Sequence, residues 1–201
     1  MFRKISPERA MELLREGNAR WLSGRLEHPN HDEERRRATA REGQQPFATV
    51  LTCSDSRVAP VVLFDVGIGD VFQVRVAGNV SGPDVLGSIA YAVHELGTPV
   101  VVVLGHTGCG AVQAALGGNL PEGTIPPLVE KLRPIVEQAR LECPHCGPHA
   151  LADHASAINV ERVCGEILRD SPVVRQAVEE GHTVVVGAMY DLDSGEVEWL
   201  D

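Results

Sequence analysis

Val50-Leu51-Thr52-Cys53-Ser54-Asp55-Ser56-Arg57 is an apolar run that stops abruptly in a thiol, a carboxylate and a guanidinium. The pattern recurs further along, where Val100 to Leu104 is apolar and runs into Gly105-His106-Thr107-Gly108-Cys109. Neither run alternates strictly between apolar and polar residues. Such runs suit strands buried on both faces of a sheet. Each then delivers metal-ligand side chains at its C-terminal end, and in open parallel sheets ligands sit beyond the carboxyl ends of the strands.

Working outward, strands are expected over 46–52, 71–76, 99–104, 183–189 and 196–200. Ser6-Pro7-Glu8 supplies an N-cap, a proline at the first helical position and an acid in the first turn. Ala10, Leu13, Leu14, Trp21 and Leu22 follow at roughly helical spacing as far as Ser23-Gly24. That helix precedes the first strand, so it is no crossover. It is expected on the outside of the domain or across a partner subunit. A second helix over 32–42, rich in Arg and Glu, reads as a solvated face.

Further helices are expected over 84–96, closed by Gly97, and over 111–116. Residues 117–127 read as a Gly/Pro-rich loop. Residues 128–141 read as a helix that Pro134 kinks or starts. Helices over 150–169 and from Ser171-Pro172 to Gly181 complete the set. Alternating strands and helices give an α/β fold: a mainly parallel central sheet flanked by helices, with an antiparallel edge strand near the C-terminus and an N-terminal helical arm. Residues 1–201 read as a single domain, an arm over 1–45 and an α/β core over 46–201.

The formal net charge of −10 argues against nucleic acid or an anionic membrane surface as partner. It leaves room for an anionic substrate at a locally positive site. No run of about eighteen apolar residues is present, so no membrane-spanning helix is expected. Met1 to Pro7 leads into no apolar stretch, so no signal peptide is expected. Five cysteines, an odd number, do not look like a disulfide framework. A reducing cytoplasmic location suits thiolates used as ligands.

Zinc takes thiolate and imidazole ligands, and catalytic zinc sites keep one of four positions open. Cys53, His106 and Cys109 form a Cys2His set. The competing reading makes the two cysteines ordinary buried core thiols. Against that, each directly follows its strand, beside glycines or charged residues. Asp55 and Arg57 read either as a surface ion pair of little consequence or as a pair beside the metal. In the second reading Arg57 keeps Asp55 ionised and away from the ion.

Cys53-Ser54-Asp55-Ser56-Arg57 followed by His106-Thr107-Gly108-Cys109-Gly110 resembles the β-class carbonic anhydrases. Phe64-Asp65, Gly69-Asp70, Val74 to Asn79, Gly87 to Val93 and Gly187 to Asp191 resemble that family too. The resemblance implies one zinc ion held by Cys53, His106 and Cys109, with Asp55 and Arg57 as catalytic residues. It implies reversible hydration of CO2 to bicarbonate and a proton by zinc-bound hydroxide. Gln44, Phe72, Ala77 and Tyr91 match substrate-binding positions, the glutamine usually acting across a dimer interface. Backbone N–H groups around Gly108 and Gly110 suit a developing bicarbonate. Val50 stands where the self-closing branch of the family has Trp, which implies the open site. A homodimer or a higher even-numbered homo-oligomer is also implied.

The chain departs from the family at Cys143-Pro144-His145-Cys146, with His149 and His154 nearby. This cluster has the makings of a second zinc site or a redox disulfide; an exposed loop without metal is the reading favoured over a second site. Two other functions compete with CO2 hydration. One is hydrolysis of carbonyl sulfide or carbon disulfide on the same scaffold. The other is a non-catalytic zinc-binding regulator or bicarbonate sensor.

Overall fold

A computed structural model describes residues 5–118, 122–123 and 125–200. The chain runs through α1 (Pro7–Ser23), α2 (Glu33–Glu42), β1 (Ala48–Thr52), α3 (Pro60–Leu63) and β2 (Val71–Arg75). A 3-10 turn over Ala77–Asn79 leads to α4 (Pro83–His94), β3 (Val100–His106), α5 (Gly110–Gly117) and α6 (Ile125–Val129). A second 3-10 turn precedes α7 (Arg133–Glu142), α8 (Pro148–Asp170), α9 (Pro172–Glu179), β4 (Val184–Tyr190) and β5 (Val197–Leu200).

The strands form one sheet in the order β2-β1-β3-β4-β5. The first three pairings are parallel and β4–β5 is antiparallel, as the sequence predicts. From β1 the chain crosses to β2 on one side and then returns to β3 on the other. The strand order therefore reverses between β1 and β3. In open α/β sheets that reversal opens a crevice at the carboxyl ends of the two strands. Cys53 directly follows β1, and His106 is the last residue of β3.

Every residue of β1 and β3 is buried. Their side chains divide between two faces with the period of two expected of strands. Val50, Val100, Val102 and Leu104 pack with Ala10, Leu14, Leu63 and Phe64 on one face. Leu51, Val101 and Val103 pack with Ile89, Val160, Val163 and Ile167 on the other. A third apolar cluster from α5, α7 and α8 lies against Cys53 and Cys109.

Within its own chain α1 packs against α3 and β3. Ser6 Oγ accepts the Arg9 N–H at 3.3 Å, and Gly24 closes the helix in the left-handed region at φ 68°. Gly17 sits so close to α3 that a Cβ there would lie 1.8 Å from the Phe64 carbonyl oxygen. Asn18 donates to the carbonyls of Leu63 and Gly195 and accepts the Val197 N–H.

Several boundaries shift by one or two residues, and two departures turn on proline. Residues 125–127, inside the expected loop, are helical and open α6 (Ile125–Val129). Its Pro126 and Pro127 fall in the first turn, where the missing N–H of proline removes no helical bond. Pro134 marks the start of α7 and does not kink a longer helix. Within that loop, residues 119–121 and 124 lie outside the described residues. No helix among the described residues is long and apolar enough to cross a membrane.

Candidate metal centre

Among the described residues, Cys53, His106 and Cys109 form the one group of His, Cys, Asp or Glu side chains close enough to share a metal. Their donor atoms all lie within 4.8 Å of one another, and the two sulfurs are 4.0 Å apart. All three side chains are buried. The two thiols form a hydrogen-bonded pair. That contact draws the Cys53 thiol below its ordinary pKa and pushes Cys109 above it. The Gly78 N–H donates to Cys53 Sγ at 3.2 Å, which favours a thiolate there.

The imidazole supplies the test of fit. His106 Nδ1 lies 2.8 Å from the Thr107 carbonyl oxygen, so the ring proton belongs on Nδ1, where it donates. Nε2 then carries a bare lone pair. It is fully buried and has no hydrogen-bond partner. Buried polar atoms are nearly always paired. A bare imidazole nitrogen grouped with two sulfurs, one of them favoured as thiolate, is the donor set of a soft divalent cation, and zinc fits it.

Asp55 lies beside this group without joining it. Its Oδ2 is 4.0 Å from His106 Nε2. Arg57 grips the carboxylate with Nε on Oδ1 and Nη2 on Oδ2, and its backbone N–H also donates to Oδ1. These hydrogen bonds hold the carboxyl well below the usual carboxylate range. Arg57 Nη2 lies a further 3.3 Å from the Gly108 carbonyl oxygen, tying the β1 end to the β3 end.

The sequence model of a family described as carbonic anhydrase matches residues 48–197. A solved b-carbonic anhydrase, CafA of Aspergillus fumigatus, is 30% identical, covers 84% of this chain and 86% of its own, and superposes with a TM-score of 0.75. The chain belongs to the β-class carbonic anhydrase family. Carbonic anhydrase 2 of Mycobacterium tuberculosis is 39% identical over 200 residues, covering 98% of this chain and 94% of the relative. The carbonic anhydrase of Mycolicibacterium smegmatis is 39% identical over 197 residues, covering 96% and 93%. A tetrameric β-carbonic anhydrase of Sordaria macrospora shares the fold at 23% identity, with a TM-score of 0.78 over 96% of this chain and 97% of its own.

Members of this family are zinc-dependent, in keeping with the donor set. The structure divides the other expected site residues into two groups. Ala77 and Gly110 lie with the metal ligands: Ala77 adjoins Gly78, and Gly110 opens α5 next to Cys109. Gln44, Phe72 and Tyr91 do not. Gln44 is exposed ahead of β1, near Leu13, Pro46, Leu96 and Pro99, at the opposite end of the strands. Phe72 pairs in register with Thr49, so it sits about 13 Å back along the sheet from Cys53 at the usual rise per residue. Its ring stacks at a tilt on Tyr91, 6.2 Å between centroids, and Tyr91 is half exposed.

The Gly108 N–H, expected to face substrate, instead donates to Asp153 Oδ1 at 2.7 Å. Asp153 was invisible in the sequence, because its partner lies 45 residues away. Arg75 lies in the stretch Val74 to Asn79 noted above, but its role was not read: it donates to the carbonyls of Cys53 and Asp55. Cys143 and Cys146 are joined by a disulfide, so neither sulfur is a thiolate for a second metal.

Proposed function

We propose that this centre catalyses the reversible hydration of CO2 to bicarbonate and a proton. One zinc ion per chain would be held by Cys53, His106 and Cys109. The observation that carries the reading is the unpartnered, fully buried His106 Nε2 beside a carboxylate that Arg57 holds ionised and apart. Zinc bound there supplies Lewis acidity, which makes hydroxide available near neutral pH.

The chain's own residues do the rest. Asp55 accepts a hydrogen bond from the attacking oxygen and aims its lone pair. Arg57 keeps that carboxylate charged and prevents it from turning onto the metal. The Gly110 N–H at the start of α5, where no side chain caps the helix, suits the negative charge that develops on substrate oxygens. Ala77 gives the pocket a small apolar wall, which suits a substrate without net charge.

Gln44, Phe72 and Tyr91 complete the pocket from a second copy of the chain. Their distance from the metal ligands of their own chain supports a homodimer or a higher even-numbered assembly. A cytoplasmic setting fits ligands that must stay reduced. The deciding experiment measures zinc content and stopped-flow CO2 hydration on the wild type and on Asp55→Ala. One zinc per chain in both proteins, with a hundredfold or greater loss of rate in the variant, is expected for a residue of this role, as an order of magnitude. Full activity in Asp55→Ala sinks the assignment. Sulfide release from carbonyl sulfide without CO2 hydration moves the substrate instead.

A further inference from the structure

Cys143-Pro144-His145-Cys146 lies in the turn between α7 and α8, and the proposed reaction makes no use of it. Its disulfide spans Cα atoms 5.4 Å apart, and both cysteines are partly exposed. The helix ends that meet here lack the usual caps. α7 ends on Cys143 without a left-handed glycine, and α8 starts at Gly147 with no side chain accepting its first N–H groups. An exposed hydrogen bond between His154 Nε2 and Glu142 Oε2, 2.9 Å, also crosses the turn. The disulfide is thus the covalent stop on the N-terminal end of a 23-residue helix.

That end of α8 reaches the metal centre. Asp153 lies six residues beyond Gly147, roughly 9 Å of helical rise. Its carboxylate accepts the Gly108 N–H at 2.7 Å. Gly108 adjoins Cys109, holds a φ of 63°, and offers its carbonyl to Arg57. One carboxylate on α8 therefore holds, by its N–H, the residue whose carbonyl meets Arg57 and whose neighbour is a metal ligand.

We propose that Cys143–Cys146 is a thiol-reducible clip on the metal centre. Its opening by a small cellular thiol loosens the first turns of α8 and with them the hold of Asp153 on Gly108. A thiolate of the reductant attacks Cys143 Sγ, and the S–S bond breaks with Cys146 leaving as thiolate. The departing charge forms beside the start of α8, whose first turn has no acidic residue. A second reductant thiol then attacks the reductant sulfur of the mixed disulfide and releases Cys143. Two reductant thiols become one disulfide, and their two protons end on the cysteines.

The effect on turnover rests on the CO2 reading; the effect on Gly108 does not. The test equilibrates zinc-loaded full-length protein in buffers of reduced and oxidised glutathione. Mass spectrometry after maleimide labelling counts free thiols. Amide hydrogen exchange follows peptides 105–112 and 147–156, and stopped flow follows CO2 hydration. Reduction is expected to expose two thiols, at Cys143 and Cys146. Exchange should quicken by about threefold or more in both peptides, as for a local opening, and CO2 hydration should slow in parallel.

The double variant Cys143→Ser/Cys146→Ser should show fast exchange in every buffer. Asp153→Ala should show fast exchange at 105–112 with its disulfide intact. A disulfide that resists glutathione in the folded protein overturns the proposal. So does reduction that quickens 147–156 and leaves 105–112 unchanged. A responsive peptide 105–112 in a chain that does not hydrate CO2 upholds the clip and removes the functional reading.

Discussion

Arg57 meets Asp55 fork to fork: Nε is 2.9 Å from Oδ1 and Nη2 is 2.7 Å from Oδ2. Both carboxylate oxygens are thereby engaged, although one of them lies 4.0 Å from the metal-facing nitrogen of His106. A lysine or glutamine cannot reproduce this grip, because neither presents a charged planar fork. In Arg57→Gln the carboxylate is expected to rotate onto the metal and close the centre. Cobalt(II)-substituted protein should then show the absorption of a site with four protein ligands, and CO2 hydration should fall. An unchanged cobalt spectrum with full activity removes this role from Arg57.

The same pair sets an acid limit. The native pKa of Asp55 is depressed, so the pair's stabilisation is present above the unfolded carboxylate value of about 3.9 and is lost as pH falls through the lower native value. Wild-type protein should therefore show no loss from this pair between roughly pH 8 and pH 5. In Arg57→Gln the native value rises toward the ordinary one, so the pair contributes less at neutral pH and has less to lose on acidification. Melting temperatures from pH 8 down to about pH 3, each protein against its own value at pH 8, should fall less steeply below about pH 5 in the variant than in the wild type. An equally steep acid limb in both proteins contradicts this role of the pair.

Gly78 couples the metal ligands to α8. Its N–H donates to Cys53 Sγ, and its carbonyl accepts from Asn159 Nδ2 at 2.9 Å. Both side chains are buried. Asn159→Leu leaves that carbonyl without a donor, at a cost of about 1–3 kcal/mol. It should also weaken zinc binding, since the Gly78 peptide is then free to turn from the sulfur. Urea denaturation reads the first effect and competition with a chromophoric chelator reads the second. Zinc affinity equal to wild type would show that the Gly78 peptide needs no such anchor.

Gly17 makes a different kind of demand. No Cβ fits between α1 and the Phe64 carbonyl. Gly17→Ala must push the helix outward and is expected to cost about 2–3 kcal/mol by overpacking. For a chain of this length each kcal/mol lowers the melting temperature by roughly 2–4 °C. A thermal melt within a degree of wild type would mean that α1 does not seat as described.

Gln44 offers a test of assembly. Gln44→Ala and Cys53→Ser should each be nearly inactive, the first for want of a substrate contact and the second for want of a metal ligand. Mixing and exchanging subunits should restore activity, because a hybrid carries one site with an intact metal set and an intact partner glutamine. No recovery after demonstrated subunit exchange means that Gln44 acts within its own chain or not at all.

The sheet and the metal ligands were legible because their signals are local. β1 and β3 are buried on both faces, so their apolar runs are continuous, and the donors follow each run directly. The contacts that support the site were not legible, because their partners are remote in sequence. Asn18 bonds to groups 45 and 177 residues away, and Gly78 reaches Cys53 across 25. α6 was hidden because proline suggests a loop, whereas the first turn of a helix accepts it. The turn at Cys143 was ambiguous because a Cys-x-x-Cys pair serves metal and disulfide equally well.

The strand order has a consequence for how the centre is made. Cys53 and Cys109 are 56 residues apart in the chain, yet their sulfurs stand 4.0 Å apart, because β1 and β3 pair in parallel. Parallel pairing closes a long loop before it gains any contact, so it forms slowly. A partly folded chain offers a metal only His106 and Cys109, a two-donor fragment on one turn. The third donor arrives when β1 docks. Zinc taken up in full strength therefore marks a finished sheet, and the resistance of bound zinc to a chelator reports on folding as directly as any spectroscopic probe.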